Sequence, residues 1–555
     1  MRHCKNTMKR LGLCILALAL TACIENDIPY PLVQCYIEAI AANGLSGEPA
    51  IDPAARRVVL PLEETTDIQA VEITSCKITE NASVSDEIVG VHDMRTPLYT
   101  TLAIYQEYPW TIEAQQTIPL AFTVAGQIGS TEWDLANLRA KVYVGFEEFS
   151  QVEITSLKLG PAGITTMSCI FTDDLNETNL GVLSDFATTG GTRQVSAYYH
   201  NRRYDWTLEV EYSEIKVAMT AVAPWTHSVW LYADGLSGTE LGFRYREEGA
   251  EEWIEVPQEQ ILFDGGSFSV QVKGLLPETR YEAVAYSNDD LTETYPFTTE
   301  PVLALPNAGF EVWSTPAKAL CPYLSKEQAF WDTGNHGSAT MGVNVTTNVD
   351  DPRPGSAGTT SAYLHSQFVG MGVIGKFAAG NIFVGEYFKT DGTDGILNFG
   401  RPFATHPLAL RGWIKFRQGR IDQIGSSPAG TTLTTDDMDE GQIYIALGTW
   451  TPEEYGGTAE SPVQIRTKPS DQQLFNKNTE AVVGYGELTL TENIDEWTPF
   501  TIPIDWRDKT VPPTHLIIVG SASRWGDYFT GSTQSGMWLD DLELVYDEAD
   551  LGENR

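Results

Sequence analysis

The sequence predicts an all-β chain built of several sandwich modules, and three observations carry that prediction. Short runs rich in β-branched and aromatic residues, such as "RRVVLPL" (56–62) and "AKVYVGF" (140–146), recur along the chain, separated by Gly, Pro and Asp turns. A block of sequence repeats: "GLSGEPAID" (44–52), "VEITS" (71–75) and "YPWTIEA" (108–114) return in the same order as "GQIGSTEWD" (126–134), "VEITS" (152–156) and "YDWTLEV" (204–210), with an insertion before the third element. The last block of about 240 residues alternates strands with Gly-rich and Asp-rich turns and shows no convincing helix. At 555 residues the chain is too long for one core, and three or four domains are expected.

The N-terminus comes first. Arg2, Lys5, Lys9 and Arg10 precede an apolar run, Leu11 to Ala22, that is far shorter than the roughly 20 residues needed to span a bilayer. This reads as a signal peptide. Leu20-Thr21-Ala22-Cys23 resembles a bacterial lipobox, which implies that the Cys23 sulfur takes a diacylglyceryl group and that the mature chain begins at Cys23. The resemblance implies a lipoprotein of the cell envelope, anchored in the outer membrane and facing the cell surface or the periplasm.

Composition narrows the partners. The chain holds 36 Lys+Arg against 75 Asp+Glu, a net charge of −39, and the leader contains bases only, so the mature balance is more acidic still. Such a surface repels nucleic acid and suits a soluble exterior protein. Of seven cysteines, Cys35, Cys76, Cys169 and Cys321 remain after the leader and the lipidated Cys23. They are isolated, without CxxC pairs or Cys/His ligand spacing, so they read as ordinary buried thiols, with a disulfide in an oxidising compartment the alternative, and give a zinc site no support.

The two repeats each read as a small Ig-like sandwich. Trp110 and Trp206 occupy equivalent places in their closing strands, which predicts core packing rather than ligand stacking. From about Glu214 to Glu300 the pattern changes, and Leu275-x-Pro277-x-Thr279-x-Tyr281 resembles the tyrosine corner of a fibronectin type III domain. Trp230 and Tyr245 are then expected in its core. The last block, opened by "NAGFEVW" (307–313) and closed by "MWLDDLELVYD" (537–547), is filled with alternating strands such as "ALRGWIKF" (409–416) and "HLIIVGSAS" (515–523), which predicts a jelly-roll sandwich with Trp413 in its core. The chain is thus divided into a leader (1–22), two Ig-like modules (23–115 and 116–213), a fibronectin type III-like domain (214–300), a jelly roll (301–548) and a tail (549–555).

In the jelly roll, "FWDTGNHG" (330–337), "AAGNIFVGEY" (378–387), "LNFGRPF" (397–403), "ALRGWIKF" and "GSASRWGDYFTGS" (520–532) resemble the Putative carbohydrate metabolism domain of lipoproteins from Gram-negative gut anaerobes. That resemblance implies glycan as the partner. Trp331, Asn335, Trp525, Asp527 and Tyr528 supply the aromatic, amide and acidic groups that sugar binding needs, in loop-like sequence, with Trp331 open to a packing role as well. Asn307-x-Gly309-Phe310-Glu311 and Asp540-Asp541-x-x-Leu544 resemble the first and last strands of carbohydrate-binding jelly rolls, which implies a structural Ca²⁺ held by Glu311 and Asp540. Asp332, Glu386, Asp394 and Asp527 could serve a glycosidase, but nothing in their spacing selects a pair, and no nucleophile elbow appears. The expected function is a lipid-anchored protein that binds or presents glycan; a glycan-active enzyme and an adhesive protein with a protein partner remain the alternatives.

Overall fold

A computed structural model describes residues 34–552, apart from 54, 169–181, 184–185, 187–189, 372–373, 393, 427–430, 432 and 469–470. The signal peptide, Cys23 and Cys169 lie outside the described residues. Every sheet is built of strands with turns between them, and the described helices are single turns such as Asn335–Ser338 and Pro452–Tyr455. No helix among the described residues is long and apolar enough to cross a membrane.

The two repeats share one topology. In the first, Arg57–Leu62 pairs in parallel with Glu107–Gln116, and in the second Arg139–Val144 pairs in parallel with Arg202–Tyr212. A second sheet covers each, led by Val71–Ile78 and Val152–Lys158, the two "VEITS" strands. Alternation decides what faces inward: Val58, Leu60 and Leu62 are buried, as are Ala140, Val142 and Val144. Trp110 and Trp206 sit in these cores; the Trp110 indole donates to the Cys35 carbonyl at 3.1 Å, and Trp206 meets Trp133 edge-on at 5.7 Å.

The third module has two facing sheets, centred on Ser228–Gly235 and Arg280–Ser287. Its tyrosine corner is formed: Tyr281 Oη accepts from the Leu276 backbone N–H at 3.0 Å. Tyr245 packs against this core. Trp230 does not. Val229 and Leu231 take the inward positions, so Trp230 points out of its own sheet, against the core of the C-terminal block, with the Lys509 ammonium 4.0 Å above its ring. Next to it Trp225 stacks on His406 at 4.8 Å, and His406 Nδ1 pairs with Glu300 at 2.7 Å.

The C-terminal block is a two-sheet sandwich. Its larger sheet has the path Val463–Arg466, Asp394–Phe399, Asn381–Asp391, His515–Ser521, Gly441–Gly448, Val482–Leu490, Asp505–Trp506; facing it are Thr346–Val349, Ser361–His365, Gly536–Val545, Ala409–Arg417 and Ile494–Pro503. Leu364, Ile382, Ile414, Ile445, Ile518 and Leu539 fill the space between the sheets. "HLIIVGS" explains the larger sheet's other face: Leu516 and Ile518 point into the core, while Ile517 and Val519 point outward, where a second apolar cluster with Phe383, Phe399 and Trp450 covers them. Two expectations change here. Residues 307–313 form a turn, with Asn307 at φ 49° and Phe310 at φ 53°, and meet the closing strand through the Leu542 N–H on the Ala308 carbonyl at 3.0 Å. Trp413 lies on the outer side of its strand, half-buried beneath the Arg353 guanidinium, because its neighbours Leu410, Ile414 and Phe416 hold the inward positions.

Candidate functional site

A cavity of about 390 Å³ opens on the outer face of the larger sheet. Asn381–Asp391 and Gly441–Gly448 form its floor and give it Tyr387, Gln442 and Tyr444; Gly334, Gly337 and Ser338 form one wall, and Arg524, Gly526, Asp527 and Phe529 another. The two loops singled out in the sequence therefore meet at one cavity. Its aromatic rings are backed by protein on one side: Tyr387 by His336 at 5.2 Å, Tyr444 by Phe475 at 5.3 Å and Phe529 by the Lys376 ammonium at 4.2 Å. Lys376 also pairs with buried Asp394 at 2.7 Å.

The expected site residues divide. Asp527 lines the cavity. Solvent reaches it, yet protein surrounds the carboxyl, and this desolvation pushes it up to about 6. Trp525 and Tyr528 are half-buried in the same turn but are not part of the lining. Arg524 covers a face of Trp525 at 4.6 Å, and Tyr528 lies toward the first module, near enough to Tyr36 and Asp52 for their charge to add to the burial that raises its phenol. Trp331 and Asn335 are corrections. Trp331 begins a short strand paired with Asn381–Asp391, which turns its ring inward; it is 0 % exposed, packs on Phe310 and Phe330, and donates its indole N–H to Pro306. Asn335 is equally buried and is saturated by the backbone of Leu320 and Thr346. Neither can touch a ligand in the cavity. Of the four acids considered for hydrolysis, Asp332 and Asp394 are buried, Glu386 approaches Lys326, and Asp527 is the one carboxylate among the described lining residues.

One important residue carried no sequence signal. Asp439 is 0 % exposed and organises the turn that bears Arg524 to Phe529: one of its carboxylate oxygens accepts from Ser523 Oγ at 2.6 Å, Ser532 N at 2.8 Å and Ser535 Oγ at 2.8 Å. Burial pushes its carboxyl up to about 6, although these bonds act in the opposite direction. It stands in the acidic run "TTDDMDE", where nothing separates it from its neighbours.

Glu311 and Asp540 were expected to share calcium. Glu311 accepts the N–H groups of Thr359 and Thr360 at 3.0 and 2.9 Å, which outweigh partial burial and hold its carboxyl below the usual range. Asp540 is 0 % exposed, and burial, with the charges of Asp541 and Glu311 added, pushes it up to about 6. The nearby cation, Arg353, directs its guanidinium to Asp541 rather than to Asp540. Gly309 keeps the ground beside Asp540 clear: a Cβ there would stand 3.1 Å from an Asp541 oxygen and 3.9 Å from an Asp540 oxygen. Carboxylate oxygens are the donors Ca²⁺ takes, but Glu311 already accepts from both N–H and both hydroxyl groups of Thr359 and Thr360, and each Asp540 oxygen accepts one backbone N–H.

Fold and cavity together define a multi-module all-β protein whose last sandwich presents a polar, aromatic-lined pocket. Residues 307–545 match the family model of the Putative carbohydrate metabolism domain. Among solved structures, one described as a "putative glycoside hydrolase" from Bacteroides thetaiotaomicron is 14% identical over 94% of this chain and 99% of that one, with a TM-score of 0.29. Another so described, from Bacteroides vulgatus, is 22% identical over 44% of this chain and 97% of that one, with a TM-score of 0.31. A surface glycan-binding protein from Prevotella bryantii is 11% identical over 64% of this chain and 81% of that one, with a TM-score of 0.17. No curated protein matches the chain.

Proposed function

We propose that the protein binds glycan in the cavity on the outer face of the larger sheet, and that a lipid on Cys23 holds it in the cell envelope. The observation that carries this reading is the lining itself. Tyr387, Tyr444 and Phe529 offer ring faces of the kind that stack on pyranose, and Gln442, Thr390, Arg524 and Asp527 offer planar or hydroxylic groups for sugar hydroxyls. The carbohydrate domain match supports it. Hydrolysis is the second reading, favoured by one observation, the raised carboxyl of Asp527, which suits a general acid. A glycosidase needs two carboxyls facing across the bond, however, and the described lining supplies one. Glu311 and Asp540 hold a structural Ca²⁺ in this reading, stiffening the junction of the 307–313 turn with the closing strand.

The test is an affinity measurement of the full chain against a panel of plant, host and microbial polysaccharides, followed by Tyr444→Ala and Asp527→Asn on the best ligand. Each substitution is expected to weaken binding by roughly 1–3 kcal/mol with the fold retained, the range for loss of one buried ring or charged hydrogen bond. No glycan bound by the folded protein, or affinities untouched by both substitutions, would overturn the assignment. Release of reducing ends during the assay would select the hydrolytic reading.

A further inference from the structure

Against Tyr387, in the floor of the cavity, lies a cluster that the sequence did not announce. Cys321, Asp332 and His336 bring one sulfur, one oxygen and one nitrogen to within 4.8 Å of one another. His336 Nε2 is the common point: it stands 3.0 Å from Asp332 Oδ1, 3.6 Å from Cys321 Sγ and 3.4 Å from the Tyr323 hydroxyl. A ring N–H serves one acceptor, so three heteroatoms around a single nitrogen are poorly explained by hydrogen bonding alone. They are not a nucleophilic triad either, since there the acid and the thiol address opposite ring nitrogens.

Coordination explains them better. With zinc at about 2.0–2.1 Å from nitrogen and oxygen and about 2.3 Å from sulfur, the edges of a tetrahedron are roughly 3.4–3.6 Å long. The observed separations of 3.0, 3.4 and 3.6 Å bracket that range. The donor set is a thiol, an imidazole and a carboxylate, with a phenol beside them. The soft sulfur argues against calcium or magnesium and for a borderline ion of the zinc type.

The surrounding chain holds these donors in place. Asp332 accepts the Tyr387 N–H on its second oxygen at 2.8 Å, which fixes the orientation of the first. Cys321 is locked to Ser314 by a pair of backbone bonds at 2.8 and 2.9 Å. Buried Asn335, next to His336, bonds the carbonyls of Leu320 and Thr346, and so ties the helix that bears His336 to the segment that bears Cys321. Arg401 is the cation whose field reaches Asp332 and Tyr323, but its guanidinium is engaged by the carbonyls of Ala329 and Gly385 and does not neutralise the acid. Cys321 and Asp332 are buried, while the His336 side chain is 29% exposed and leaves an approach for an ion.

We propose that Cys321, Asp332 and His336 bind a zinc ion, with Tyr323 as the neighbouring fourth group, and that this ion ties the 319–341 segment into the wall of the cavity. The site is independent of the glycan reading: it predicts zinc bound whether or not any sugar binds.

The experiment uses the full chain, stripped with chelator and reloaded with zinc or with cobalt(II) alone. About one zinc per chain is expected after dialysis. Cobalt should give the visible bands of a tetrahedral site with a thiolate-to-metal transition in the near ultraviolet. Cys321→Ser should abolish that transition, Asp332→Asn should weaken zinc by at least the roughly ten- to hundred-fold that loss of a mere supporting partner costs, and Glu311→Gln, at the calcium candidate, should change neither. Zinc should also raise the melting temperature of the unmutated chain, a readout that stands even where a variant fails to fold. A stripped and reloaded wild-type chain with neither zinc nor a thiolate–cobalt transition overturns the proposal, and so does a transition that survives in folded Cys321→Ser.

Discussion

Asp439 shows how one buried side chain can govern a site it never touches. Its carboxyl titrates near 6 in the folded chain, above the ordinary aspartate value of 3.8. The native state therefore holds this proton more tightly than the unfolded state, so the contribution of Asp439 to stability is greatest below about pH 4, falls as the pH rises through about 6, and is flat above. The stability of the wild type minus that of Asp439→Asn should accordingly drop between pH 4 and 6.5, by at most about 3 kcal/mol for a shift of this size; denaturant melts of the two proteins at several pH values check it, and a difference that rises with pH would refute it. Calcium belongs to the same scale. Millimolar calcium added to the chelator-stripped chain should raise its melting temperature, while stripped Asp540→Asn should not respond to calcium; elemental analysis after chelation excludes a trapped ion. Asp527 was legible in the sequence because an acid in a Gly-rich, aromatic loop is ordinary binding chemistry. Asp439 was not, because only three donors from a distant turn distinguish it from the acids beside it.

At the scale of elements, the repeat and the tyrosine corner could be read because each is local: the corner closes over five residues, from Tyr281 to Leu276. Faces were harder. Trp230, Trp331 and Trp413 all stand in sequence that permits either side, and a register change of one residue sends a side chain to the opposite face of a sheet. Trp331 suits either a ligand platform or packing by its sequence, and its three-residue strand, paired with Asn381–Asp391, delivers the ring to the core. Trp331→Ala should thus cost the C-terminal sandwich about 3–5 kcal/mol, as expected for a buried tryptophan, with glycan affinity of the folded fraction unchanged. Paired melting and binding measurements check this; weakened binding with unchanged stability would return Trp331 to the site. The cluster of Cys321, Asp332 and His336 escaped the sequence for a related reason: Asp332 and His336 stand four residues apart and Cys321 eleven residues earlier in an isolated bridge, a spacing that matches no familiar ligand motif.

Across the whole molecule, successive modules touch through specific contacts. Lys158 and Arg202 of the second module pair with Glu64 and Asp67 of the first, and Trp225, Glu300 and Lys273 join the third to His406, Trp506 and Glu548 of the last. Such contacts join neighbouring modules, and the turn that bears Tyr528 comes back toward the first of them. On the proposed anchoring, Cys23→Ser should move the protein from the membrane fraction to the soluble one or leave it unprocessed, which fractionation and mass measurement of the mature chain would reveal; full membrane retention at unchanged mass would refute the anchor. The closing strand, Gly536–Val545, has one more consequence. It lies between Ser361–His365 and Ala409–Arg417 and bonds to both, so the smaller sheet has two bare edges until the end of the block is in place. Its partners are far away in sequence, and contacts of such long range make folding slow. A chain made from its N-terminus can complete each Ig-like module in turn, whereas this sandwich cannot close its smaller sheet before its last strand is made, and until then those two edges are open to pairing with other chains.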